Sequence, residues 1–73
     1  MTTTSTHLRE MTVNGAAVAS AAGTLAELVA AQGFAGVKVA TAVNGEFVPE
    51  RRRAETPLSD GDRIEILSAR QGG

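Results

Sequence analysis

The chain has no cysteine, no tryptophan and no tyrosine, and it carries only two phenylalanines and one histidine. Without cysteine there can be no disulfide, thiolate metal site or thiol nucleophile, and the composition suits a reducing compartment. Without large aromatics the core must be aliphatic. No apolar run approaches the roughly 20 residues of a membrane span. The opening "MTTTSTHLRE" has no apolar stretch of the kind a secretory signal needs. A cytoplasmic location and no membrane partner are therefore expected. Neither sign of charge dominates: Lys and Arg number 7, Asp and Glu 8, for a formal net charge of −1. That balance argues against a general nucleic-acid binder.

The same scarcity removes most catalytic chemistry. The one histidine is His7, in the Thr/Ser-rich opening, so no Ser/His/Asp or Cys/His arrangement is expected in ordered form. There is no phosphate-cradling G-x-x-x-x-G-K-[ST] loop and no G-x-G-x-x-G turn. Asp60, Asp62 and Glu65 match no cation-loop spacing, and "SDGD" reads as a turn. No catalytic residue, metal site or bound cofactor is expected.

What is present organises one small domain. Seventy-three residues suffice for a single core that buries only roughly 60% of the unfolded surface. Residues 1–10 read as a flexible extension, 11–68 as the folded domain and 69–73 as a flexible tail. Asn14-Gly15 and Asn44-Gly45 are hairpin dipeptides, because both residue types tolerate positive φ. The first predicts a hairpin of Met11–Val13 and Ala16–Ala19. The second predicts one within "VKVATAVNGEFVP", in which Val37, Val39, Thr41 and Val43 share a parity and Pro49 ends the outgoing strand.

Between the hairpins, "AAGTLAELVAAQG" predicts a helix of about three turns. Thr24 and Glu27 stand in capping-box register, Leu25, Leu28 and Val29 share a face, and Gly33 is placed to end the helix. "ERRRAETPLSDG" reads as a polar connection anchored by Leu58. Its Arg51 to Arg53 are expected in a solvated loop, with docking to an acidic surface as the alternative. "RIEIL" is the last strand, with Ile64 and Ile66 on one face and Glu65 and Leu67 on the other. The expected class is α+β: a mixed sheet of about five strands with one helix across one face.

After that strand the chain ends "SARQGG". In this order, "MTVNG", "GTLAELVAAQG", "VATAVNGEFVP", "LSDGDRIEIL" and the terminal "QGG" resemble the ubiquitin-like β-grasp proteins. Within that fold they resemble the family of sulfur carrier proteins of thiamine thiazole biosynthesis most closely. The resemblance covers Met11 to Gly73. The loop "ERRRAETP" departs from the family's pattern, in which an aromatic is common.

The resemblance implies a protein co-substrate and not an enzyme. The Gly73 carboxylate would be adenylated by a ubiquitin-activating-type enzyme using ATP-Mg. A sulfur donor such as a cysteine desulfurase would then supply the sulfur of a thiocarboxylate, which thiazole synthase consumes. It further implies a monomer when the chain is free. Three alternatives stay open: the small-subunit sulfur carrier of molybdopterin synthesis, a protein modifier conjugated through Gly73, and a binding module with incidental glycines.

The tail's chemistry agrees with the carrier reading. A terminal carboxylate, with a pKa near ~3.5, is a poor electrophile until activated. Gly72 and Gly73 lack the Cβ that would crowd a narrow channel, and Gln71 and Arg70 would thread behind them. Ala69 to Gly73 can span at most about 17 Å, enough to join a body docked outside to a buried active site. Docking is expected on the open sheet face, through Leu67 first and Phe47 second, with a place in the core as the equal alternative for Phe47.

Overall fold

Both Asn-Gly pairs fold into tight turns with left-handed backbone, Asn14 at φ 52° and Gly15 at 86°, Asn44 at 53° and Gly45 at 86°. This is the twist that lets two residues reverse a strand without splaying the ladder. The computed structural model describes residues 7–68. In it, β1 (Arg9–Val13) returns as β2 (Ala16–Ser20), and β3 (Val39–Val43) returns as β4 (Glu46–Val48). The last strand is β5 (Arg63–Ser68).

The first strand reaches two residues further back than Met11. Arg9 pairs with Ser20 and Glu10 with Ala19, so both belong to the sheet and not to an extension over 1–10. Apolar alternation begins only at Met11, which hides the polar start of the strand from a sequence reading. The Glu10 amide also donates to Asp60 Oδ1 at 2.8 Å, which ties the strand to the turn before β5.

The sheet order is β2-β1-β5-β3-β4. β1 and β5 run parallel, and the other neighbours are antiparallel. One helix covers one face, which is the β-grasp arrangement. The helix, α1 (Leu25–Val29), buries Leu25, Leu28 and Val29. They meet Met11, Val13, Val39, Leu58, Ile64 and Ile66 in an aliphatic core. Val37 precedes β3 and is 39% exposed, so it does not share the burial of Val39.

Thr24 caps α1, its Oγ1 accepting from the Glu27 amide at 3.2 Å. The Glu27 carboxylate accepts from the Gly23 amide at 2.7 Å, one residue earlier than a capping box places it. The regular helix is shorter than three turns. Ala30–Phe34 continues it with wider π-type bonding, and Gly33 at φ 92° leaves helical backbone inside that segment.

The connection "ERRRAE" is not a solvated loop. Glu50–Glu55 forms a 3-10 helix, and Arg53 turns inward to 8% exposure. Its Nη2 donates to the Val39 carbonyl at 2.6 Å, and its Nε donates to Thr41 Oγ1 at 3.0 Å. That hydroxyl donates in turn to the Val48 carbonyl at 2.7 Å. A buried polar group must be hydrogen-bonded or it costs stability, and this relay satisfies the buried Thr41 and the buried guanidinium together. Arg53 is therefore a structural residue and not a docking one. Arg51 and Arg52 remain exposed, with Arg52 3.7 Å from Glu55. Leu58 anchors the following segment as expected, at 4% exposure.

Candidate functional site

The period of two along β5 decides which side chains leave the core. Ile64 and Ile66 point to the helix, and Glu65 and Leu67 point away. The neighbouring strands carry the same choice outward. Ala40 lies opposite Leu67 and Ala42 opposite Glu65, while Ala42 lies opposite Phe47 on its other side. Leu67 is 61% exposed and Phe47 69%. Both residues expected to dock thus stand on the open face, and Phe47 is no part of the core.

Ala40, Ala42, Phe47, Glu65 and Leu67 outline a shallow depression of about 120 Å³. The two alanines were not singled out in the sequence, yet they shape this surface. Their methyls keep the floor low between Leu67 on β5 and Phe47 on β4, two apolar posts, with Glu65 two residues before Leu67 on the same face. The signal was present in "VATAV", whose off-parity positions are both alanine.

The described chain ends at Ser68, opposite Val39 in the sheet. Arg70, Gln71, Gly72 and Gly73 lie outside the described residues. Leu67 immediately precedes Ser68, the last residue of β5.

The turn before β5 is built by its carboxylates. Asp62 Oδ2 accepts the Ser59 amide at 2.8 Å, and Gly61 takes φ 88°. Asp60 accepts the Glu10 amide and lies 3.5 Å from His7 Nε2. The Glu10 amide, chiefly, holds the Asp60 carboxyl below its ordinary range; slight desolvation opposes this, and His7 and Arg9 add to the lowering. The two carboxylates thus serve the turn, as "SDGD" predicts. Among the described residues no helix is long and apolar enough to cross a membrane.

The ThiS family profile matches residues 5–73 of the chain. The crystal structure of the thiamine biosynthesis protein (ThiS) from Geobacter metallireducens is similar in fold, with a TM-score of 0.67. The two sequences are 30% identical over 88% of this chain and 99% of that one. No curated protein matches significantly.

Proposed function

The chain belongs to the ThiS family of small sulfur carriers, which are not enzymes, and from that premise we propose that Gly73 carries the sulfur as a thiocarboxylate. The observation that bears most on this is the family match, which runs through residue 73 and so includes the Gly-Gly end.

In this reading the Gly73 carboxylate first attacks the α-phosphorus of ATP on an adenylating partner, and pyrophosphate leaves. The acyl-adenylate is now an electrophile, because AMP is a far better leaving group than oxide. A persulfide sulfur from a donor such as a cysteine desulfurase attacks the carbonyl and expels AMP. A second thiol attacks the donor's sulfur in the resulting acyl disulfide, forms a disulfide with the donor and releases the thiocarboxylate, which thiazole synthase then consumes.

The carrier's own part is delivery. Gly72 and Gly73 add no side chain at the reacting carbonyl, which must come within about 3–3.5 Å of its attacker. Gln71 and Arg70 thread behind them. Leu67 and Phe47, raised on a floor of alanine, offer the apolar contact for the partner's surface. The likeness to a thiamine biosynthesis protein supports the thiamine branch over molybdopterin synthesis or protein modification.

The test is intact mass after incubation with the cognate adenylating enzyme, ATP-Mg and a sulfur donor. The wild-type chain should gain the mass of one oxygen-for-sulfur exchange. A chain lacking Gly73 should gain nothing while keeping its thermal midpoint. A wild-type chain left unchanged by a partner set that loads another carrier would overturn the proposal.

A further inference from the structure

The two Val-Asn-Gly turns do more than reverse their strands. β1 pairs with β5 only through Thr12 with Arg63 and Val13 with Ile64. Beyond Val13 the chain turns away into β2, and the parallel ladder would stop. The Asn14 side chain continues it. Its Oδ1 accepts the Ile66 amide at 2.9 Å, and its Nδ2 donates to the Ile66 carbonyl at 3.0 Å. The Asn14 amide itself donates to the Ile64 carbonyl at 2.9 Å. The carboxamide therefore stands in for one peptide unit, with a donor and an acceptor facing the strand. An aspartate at this place would present two acceptors instead.

Asn44 grips the other end of β5 from the other side, with its backbone amide donating to the Arg63 carbonyl at 2.7 Å. Its Oδ1 accepts the Arg63 amide at 2.9 Å, and its Nδ2 donates to Asp62 Oδ1 at 3.0 Å. The last strand is thus held at its start by one turn and near its end by the other. Ile66, the residue Asn14 holds, adjoins Leu67 and lies seven positions before Gly73.

We propose that Asn14 is a positioning residue for sulfur loading. Its carboxamide braces the end of β5 on the side that β3 does not pair, and with it the place of Leu67. This rests on the reading of Gly73 as the loaded group. Without the carboxamide the Ile66 amide and carbonyl lose their partners on the β1 side, and beyond Ile64 the strand is held by β3 alone. Only the fraction with the strand end formed can then dock, which raises the apparent dissociation constant. A loss of that kind weakens ground state and transition state alike, so it raises KM and leaves kcat unchanged.

Three variants separate this from a general loss of stability. Asn14→Gly keeps the positive φ and removes the side chain. Asn14→Asp keeps the turn and one acceptor but loses the donor. Asn44→Gly loosens β5 at the end far from the tail. The readouts are amide hydrogen exchange by NMR and ATP–pyrophosphate exchange by the adenylating enzyme at varied carrier concentration.

Asn14→Gly should speed exchange of the Ile66 amide about tenfold, the scale of one lost hydrogen bond, and leave Ile64 unchanged. Its KM should rise by a factor on the order of 3–10 with kcat preserved, and Asn14→Asp should fall between it and wild type. Asn44→Gly should speed the Arg63 amide and leave KM as it was. The inference is overturned if Ile66 exchange does not change in Asn14→Gly, if KM stays at the wild-type value, or if Asn44→Gly raises KM equally. A wild-type chain that supports no pyrophosphate exchange overturns the Gly73 reading and this one with it.

Discussion

Arg53 shows how one residue in a charge run escapes the behaviour of its neighbours. Its guanidinium satisfies the Val39 carbonyl and the Thr41 hydroxyl, and its stem fills space beside the helix. Arg53→Met retains the stem's apolar contacts and loses both hydrogen bonds. A loss of about 2 kcal/mol is expected, or a thermal midpoint lower by roughly 10 °C for a domain of this size. Thermal unfolding followed by circular dichroism measures it.

Asp60 carries the expected pH dependence. The Glu10 amide lowers its folded pKa beneath the ordinary 3.8, so the ionised form is the one the fold favours. That contribution is fully present above the unfolded value and is lost as pH falls through the folded one. Asp60→Asn should lower the urea midpoint at neutral pH, and the gap to wild type should close as pH drops below the ordinary carboxylate range. A gap that stayed constant down to acid pH would contradict the assignment. Which of three consecutive arginines is buried, and which of two turn aspartates meets β1, is absent from the sequence because each depends on a segment many residues away.

At the scale of elements, local chemistry was the better guide. The α1 cap, the left-handed Gly33 and both hairpin turns follow from residue types at fixed spacing. The α-helical part of the segment is short, and an isolated helix shorter than about 12–15 residues is marginal in water. Its stability comes from Leu25, Leu28 and Val29 against the sheet. The cap still matters: Thr24→Ala leaves the Glu27 amide without its acceptor and should cost about 1 kcal/mol, read as a lower urea midpoint with unchanged slope. The α-helix is shorter than the three turns expected because Ala30–Phe34 bonds in the wider π pattern, while Gly33 leaves helical backbone as its position predicts.

On the scale of the whole molecule, the last strand in sequence is the middle strand of the sheet. It is flanked by the two hairpins, and its outward side chains belong to the open face. This separates stability from docking along one strand. Leu67 is exposed and Ile66 is buried. Leu67→Ala should change stability by less than about 0.5 kcal/mol, yet raise the KM for adenylation roughly tenfold if it is a docking anchor. Ile66→Ala should lower stability by about 2–5 kcal/mol. Denaturation curves and steady-state pyrophosphate exchange on the same two variants test the separation.

The sequence by itself determined the two hairpins, the start of the helix, the last strand with its inward and outward faces, and the Gly-Gly pair. Each of these rests on a turn dipeptide, a cap, a parity or a composition, all readable within a few residues. The tertiary structure alone decided that β5 lies beside β1 in parallel, that Arg53 is buried, that Ala40 and Ala42 floor the open face between Phe47 and Leu67, and that Asn14 reaches Ile66 across 52 positions. Those are contacts between segments brought together by burial of a shared core, and the local period of a strand or helix carries no record of which distant segment will lie next to it.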